Sequence, residues 1–193
     1  MNNFYFFNEK IANNISEKGK TLFKNLLDND NEKNIKVIFL DIDGVLNYDK
    51  WYTSEEYQNL FYKDDVELEI DPACSERINK ICTETNSKIV ITSDWRISSW
   101  YGTIIRLKRG GINEDYILDK TPERPWFNIK GYDYSRGAEI NDWLEQHPEC
   151  TNYVIIDDRE DFKEEQKMHF VHVNKSEGFT ENLMEKALNI LKY

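Results

Sequence analysis

The chain reads as an α/β protein built on an open, mostly parallel sheet with helices on both faces. Three observations lead there. Four apolar runs are continuous rather than alternating, as strands covered on both faces require; they are "IKVIFLD" from Ile35, "KIVIT" from Lys88, "NYVIIDD" from Asn152 and "HFVHV" from His169. Stretches of helical spacing separate them. Three of the four strands end in acidic or hydroxyl residues, at the edge where sheets of this kind bind ligands.

The elements follow in chain order. Residues 1–33 read as an N-terminal extension. Ile11, Ile15, Leu22, Phe23, Leu26 and Leu27 lie at partly helical spacing, Gly19 interrupts them, and "DNDNEKN" ends the segment as a polar linker. It is expected to be a docking helix or an arm for a protein partner. Residues 34–193 form the main domain and open with the first strand. After the segment 48–70, Asp71 and Pro72 mark a helix start, because aspartate caps an N-terminus and proline fits the first helical position. Cys74, Ile78, Ile81 and Cys82 fall on one face of that helix.

The second strand, Lys88 to Thr92, is followed by one helical stretch carrying Ile97, Trp100, Ile104 and Leu107 and ending at Gly110-Gly111. Its basic end, "RLKRGG", suits a solvated helix C-terminus, where cations are favoured and glycine stops the helix. Tyr116 to Pro122 is a short strand entering a turn. Arg136 to His147 is an amphipathic helix with Ile140, Trp143, Leu144 and His147 in register. The third and fourth strands come next. Thr180 caps a last helix with Leu183, Met184, Ala187, Leu188 and Leu191 inward. His169 and His172 lie three apart in the fourth strand, so they point to opposite faces and do not share a metal.

Composition bounds the function. At 193 residues and 39% hydrophobic content, the chain supports one cored domain with an appendage. The net charge of −11 is the wrong sign for sequence-independent binding to long nucleic acid. The cysteines Cys74, Cys82 and Cys150 are scattered and odd in number, which reads as reduced thiols in a cytoplasmic protein. The first residues lack a basic lead, an apolar run and a cleavage site, so no signal peptide is expected. No window approaches the roughly 20 apolar residues of a membrane span.

The chemistry should lie at three strand ends. The first closes in Asp41-Ile42-Asp43-Gly44, the second in Thr92-Ser93-Asp94, the third in Asp157-Asp158-Arg159. Carboxylates crowded into one crevice do not all stay ionised without a counter-ion. A hard divalent cation with oxygen ligands answers this, and Mg²⁺ also keeps room for waters and a substrate phosphate.

These same residues resemble the haloacid dehalogenase-like (HAD) hydrolases, mostly phosphatases and phosphotransferases with a Rossmann-like sheet. "DIDGVLN" matches the DxDGxx signature, "IVITS" the second motif and "VIIDD" the fourth. "ITSDWR", "TPE", "RGAEINDWL" and "VIIDDRED" look most like the small HAD phosphatase domains associated with RNA-repair proteins, and distantly like the phosphatase half of phage polynucleotide kinase-phosphatase.

The resemblance implies roles. Asp41 would be the nucleophile that forms an aspartyl-phosphate, and Asp43 the general acid and then base. Mg²⁺ would sit on the Asp41 carboxylate, the Asp43 backbone carbonyl and the acidic pair, with Asp157 favoured over Asp158 for direct contact. Thr92, or Ser93 one register on, would bind a phosphoryl oxygen beside Gly44. The third motif needs a cation, for which Arg136 is favoured and Lys130 is the other candidate. Arg96 and Arg159 each follow a polar strand end and are candidates to contact substrate, with Arg159 equally a candidate to support the acidic pair from behind. Residues 48–70, rich in Tyr48, Trp51, Tyr52, Tyr57, Phe61 and Tyr62, would form a flap or small cap. Its rings either pack the flap on the body or stack on a base.

The expected activity is Mg²⁺-dependent hydrolysis of a phosphomonoester, on a nucleotide or a nucleic-acid end. The alternatives are a 5′-nucleotidase or small-metabolite phosphatase, and a non-catalytic HAD-fold binding protein that engages a partner through residues 1–33.

Overall fold

The computed structural model describes residues 34–63, 69–125 and 129–192, and the side chains of Tyr62 and Lys63 are outside it. The N-terminal extension, the residues 64–68 of the flap and the ring of Tyr62 therefore lie outside the described residues. No helix among the described residues is long and apolar enough to cross a membrane. The three cysteines are free, Cys74 and Cys82 buried.

Five strands make one sheet: β1 (Ile35–Leu40), β2 (Ser87–Ile91), β3 (Ile117–Lys120), β4 (Cys150–Asp157) and β5 (Phe170–His172). Their order is β3-β2-β1-β4-β5, and every neighbouring pair is parallel. The helices are α1 (Asp49–Tyr52), α2 (Glu55–Lys63), α3 (Pro72–Thr85), α4 (Trp95–Ser98), α5 (Trp100–Arg109), α6 (Arg136–Gln146) and α7 (Glu181–Lys192). This is the Rossmann-like architecture expected from strands alternating with helices.

The apolar runs explain the layers. Side chains two apart share a face of a strand. Ile38 and Leu40 of β1, with Ile89, Ile91, Val154 and Ile156, pack against Cys74, Ile78, Ile81 and Cys82 of α3, Leu107 of α5 and Met184, Ala187, Leu188 and Leu191 of α7. Val37 and Phe39 of β1, with Val90 and Ile155, pack on the other face against Ile140 and Trp143 of α6. Both faces of the sheet are thus covered, and continuous hydrophobicity in its strands follows.

Local signals set the helix starts. Asp71 Oδ1 accepts from Ala73 N at 2.8 Å, and Pro72 occupies the first helical position. Ser135 Oγ accepts from Ala138 N at 3.1 Å and starts α6. The stretch after Trp95 differs from the single helix expected. Ser99 adopts φ −167° and ψ 105°, breaks the run, and accepts from Gly102 N at 3.0 Å. A serine competes well for helix N-termini, so α5 begins afresh there and Ile97 on α4 is left 52% exposed.

Several contacts root the flap in the body, among them Asp49 N and Lys50 N donating to the carbonyls of Lys175 and Ser176 at 3.3 and 3.4 Å. Trp51 of α1 is buried, only 2% exposed. Tyr48 donates its hydroxyl to Asp71 Oδ2 at 2.7 Å, which ties the flap to the cap of α3. A Cβ on Gly178 would come within 2.2 Å of the Tyr48 ring, so only glycine lets that ring lie flat there.

Candidate active site

The order of the strands decides where the site forms. From β1 the chain moves to one side of the sheet as far as β3, then crosses back to lay β4 on the other side of β1. Connections diverge between β1 and β4, and a crevice opens at such a switch point. The ladder runs one residue past each strand: Asp41 N donates to Ile156 O at 3.1 Å, and Thr92 N to Leu40 O at 2.9 Å. The ends of β1, β2 and β4 are therefore level. A cavity of about 420 Å³ lies there, lined among others by Asp41, Asp43, Gly44, Ser93, Arg136 and Asp158.

Asp41 and Asp157 end adjacent strands and are both buried. Together with Asp158 they bring three carboxylate oxygens within 4.8 Å of one another. Burial pushes the Asp157 carboxyl up to about 8, with Asp41 adding to the rise and Arg136 opposing it. Burial likewise raises Asp41 to about 6 against the pull of Arg136. Asp157 Oδ1 accepts from Arg159 N at 2.8 Å, while Oδ2 is buried with no hydrogen-bond partner. An orphaned buried carboxylate oxygen within an all-oxygen cluster fits a hard divalent cation. The Asp43 carboxylate is not part of this cluster. A metal role for Asp43 is left to its backbone carbonyl.

Gly44 makes the approach to the cluster feasible. It has φ +76°, which L side chains rarely adopt, and a Cβ on it would come within 2.6 Å of Asp158 Oδ2. The turn that follows fixes Asp43. Gly44 N donates to Asn47 O at 2.8 Å, and Asn47 Nδ2 donates to Asp43 Oδ1, also at 2.8 Å. From the other side Trp95 Nε1 donates to Asp43 Oδ2 at 2.9 Å. Arg106 lies over the Trp95 ring, 4.5 Å from its centroid, so the basic end of α5 is more than a solvated helix terminus. Asp43 is exposed, held by two neutral donors and in no ion pair among the described residues.

The cation in the wall is Arg136. It is buried at the first position of α6, 3.4 Å from Asp41 Oδ1 and 4.0 Å from Asp157 Oδ2. It also donates to the carbonyl of Thr92. A cation is disfavoured at a helix N-terminus, and four carboxylates offset that here: Asp41, Asp94, Glu139 and Asp157. Lys130 is exposed on the loop before α6 and is not among the residues of the cavity wall. Of the two hydroxyls, Ser93 lines the cavity, while Thr92 is fully buried with its Oγ1 unpartnered.

Arg96 is not where a substrate contact was expected. Its side chain is buried, and it donates to the carbonyls of Thr121 at 3.1 Å, Thr92 at 2.5 Å and Ser93 at 2.9 Å. Its guanidinium lies 2.8 Å from Glu139 Oε2, which in turn stands 3.9 Å from Arg136. The first is a charge contact rather than an aligned hydrogen bond, since Glu139 Oε2 has none. Arg96 thus clamps the end of β2 to the residues after β3. Arg159 does line the cavity, with its guanidinium held by Asp161 at 3.0 and 2.6 Å.

Sequence reasoning missed Glu139, Asn47, Lys175 and the indole of Trp95 as neighbours of the site. Glu139 carried a signal: it falls on the apolar face of α6, between Arg136 and Ile140. The other three carried none, since loop paths bring them in.

A parallel sheet whose β1 and β4 ends gather an acidic cluster, an inward arginine and a DxD turn defines a HAD-type hydrolase domain. The chain belongs to the family of HAD domains in Swiss Army Knife RNA repair proteins, which matches residues 37–184, well over half of its length. No curated protein and no solved structure gives a significant match. Family membership supports hydrolase activity of the phosphatase type.

Proposed function

We propose that the protein is a Mg²⁺-dependent phosphomonoester hydrolase that works through an aspartyl-phosphate on Asp41. The observation that carries this reading is the meeting of Asp41, Arg136 and Asp157 in one buried cluster, with Asp157 Oδ2 unpartnered. The family's description, as domains of RNA repair proteins, supports a phosphorylated nucleic-acid end or nucleotide as substrate.

Each residue has a part in two displacements. A carboxylate oxygen of Asp41 attacks phosphorus, and the bond from phosphorus to the leaving oxygen breaks. Asp43 gives its proton to that oxygen. Water then attacks phosphorus, Asp43 takes up its proton, and the bond to Asp41 breaks to release phosphate. Asp43 suits this traffic because it is exposed and, among the described residues, is held by the neutral donors of Asn47 and Trp95. Arg136 and the Ser93 hydroxyl, which line the cavity, hold the phosphoryl oxygens, in place of the buried Thr92. The carboxylates of Asp41, Asp157 and Asp158 would hold Mg²⁺, which screens the anionic nucleophile from the anionic phosphate.

The modest cavity and the charge of −11 favour a second reading, a phosphatase of free nucleotides or small metabolites. A panel of aryl phosphate, sugar phosphates, nucleotides and 3′- and 5′-phosphorylated oligonucleotides, with Mg²⁺ and with chelator, separates the readings. Mg²⁺-dependent turnover of strand ends above all others is the expected result. No turnover of any ester by the folded protein would favour a non-catalytic binding role.

A further inference from the structure

Tyr52 lines the same cavity as Asp41 and Asp43, and it is 38% exposed. Trp51 beside it is buried, so the flap has an apolar anchor besides Tyr52, whose side chain is hydrogen-bonded to Asn47. Outward from Tyr52 comes Tyr57, its ring centroid 5.3 Å away, and then Phe61, stacked on Tyr57 at 5.9 Å with 14° between the planes. Phe61 is 41% exposed. A row of rings thus starts at the reaction centre and runs out into solvent. The cavity's other wall carries Lys175, an exposed cation in no ion pair among the described residues. Arg159 nearby is already engaged by Asp161.

We infer that Tyr52 is the stacking surface for the nucleobase of the substrate, with the Lys175 ammonium facing its anionic remainder, so that the substrates are nucleoside phosphomonoesters, free or at the end of a single strand. The inference rests on the phosphatase reading above. Its continuity with the phosphate-binding wall points to the occupant: Tyr52 and Asp41 line one cavity, so a ligand with its phosphate at Asp41 can lay its base on this row. Aromatic rings stack on any base, so such a site selects a class of substrate and not a sequence. The acidic charge of the whole chain confines electrostatic attraction to the substrate's end. A sugar phosphate has no ring to offer and forgoes the contact.

The test compares kcat/KM for adenosine 3′-monophosphate, adenosine 5′-monophosphate, a 3′-phosphorylated dinucleotide and ribose 5-phosphate. It is run on the unmutated protein, Tyr52→Ala and Tyr52→Phe. Because Tyr52 is half exposed, the variants should fold, and circular dichroism checks this. The expected result is a preference for the nucleotides that falls about tenfold in Tyr52→Ala, mainly through KM. Tyr52→Phe should restore it to within about twofold. Lys175→Ala should raise KM for the dinucleotide at low salt, with the effect fading at high salt. A higher kcat/KM for the dinucleotide identifies strand ends as the source of the base, and a higher value for a mononucleotide identifies free nucleotides. An unchanged nucleotide-to-ribose ratio in Tyr52→Ala, with turnover intact, would overturn the inference and leave the phosphatase standing. If the unmutated protein turns over no ester at all, the phosphatase reading fails instead. Calorimetry with adenosine 3′-monophosphate then decides the stacking: weaker binding by Tyr52→Ala supports it, and equal binding overturns it.

Discussion

Beneath the cavity, charges are buried and each is held several times over; above it, the rings of Tyr52 and Phe61 stand partly in solvent. Arg96 makes three hydrogen bonds of 3.1 Å or less to backbone carbonyls of the β2 and β3 ends. Arg136 is ringed by Asp41, Asp94, Glu139 and Asp157. Tyr52 and Phe61 each lie against Tyr57, at 5.3 and 5.9 Å between ring centroids. On the phosphatase reading, displacement at phosphorus needs groups fixed before the substrate arrives, and the buried floor would supply them. On the stacking proposal, the half-exposed flap would supply a surface that accepts rings of various shapes.

The comparison breaks first at Asp41. Asp41→Asn should lower Mg²⁺-dependent aryl phosphate hydrolysis by at least about a thousandfold, since removing a nucleophile leaves only binding and electrostatic assistance. Residual activity above a tenth in steady-state assays would mean that the floor does not do the chemistry. Arg136→Ala should cost on the order of a hundredfold or more, the usual loss when one preorganised charge is removed. Lys130→Ala should stay within about twofold. The reverse ranking would move the essential cation out of the floor and onto the exposed loop.

Much of this floor was legible in the chain. The strands around it are covered on both faces, so each appears as an unbroken apolar run whose first polar residues, Asp41, Thr92 and Asp157, mark where it surfaces. Asp71-Pro72 marked a helix start because a cap and a proline act within one turn. Arg136 was legible because a cation at a helix N-terminus needs a reason. The direction of Arg96 was not, although it is the only charge between Asp94 and Arg106. Read as a strand-end cation it belongs to the substrate. The break at Ser99 instead leaves it on the four-residue α4, turned inward to Glu139. The partners of Asp43 lie four and 52 positions away, and only the folded turn and loop join them.

Glu139 gives the next largest effect, on stability. Glu139→Gln would remove the buried anion between two buried guanidinium groups and leave them the exposed Asp94 carboxylate, 3.6 and 3.7 Å away. Breaking a buried pair in this way costs about 3–5 kcal/mol, which for a chain of this size is roughly 10 °C in Tm. Adding Arg96→Met to Glu139→Gln should recover part of that loss, because the remaining cation keeps Asp41 and Asp157. Thermal melts of the two variants measure it. A double variant less stable than the single would show that the Arg96 clamp on the carbonyls matters more than its charge.

The carboxylates predict a pH dependence of a few degrees. The folded state holds protons on Asp157 up to about 8 and on Asp41 up to about 6, above the ordinary value of about 3.9 for an unfolded chain. Their contribution to stability is therefore fully present at low pH and is lost as pH rises through about 6 and then about 8. Divalent cations compete with those protons. Without metal, Tm should fall between pH 6 and pH 9 more in the unmutated protein than in Asp157→Asn. Added Mg²⁺ should raise Tm more at pH 8.5 than at pH 5.5. Equal Mg²⁺ shifts at the two pH values would detach the metal from these carboxylates.

The smallest effect lies where floor and flap meet. Tyr48→Phe removes the 2.7 Å hydrogen bond to Asp71 and nothing else of size, because the ring still lies on Gly178. One such bond contributes about 1 kcal/mol, or roughly 2–4 °C in this size range. Asp71 keeps its bond from Ala73 N, so α3 stays capped. What loosens is the root of α1, one turn from Tyr52. The preference for nucleotides over ribose 5-phosphate should then drop by about twofold, well short of the loss in Tyr52→Ala, while Glu139→Gln should lower turnover of both substrates alike. If Tyr48→Phe and Glu139→Gln changed the preference equally, flap and floor would be one unit, and the division of labour between them would not hold.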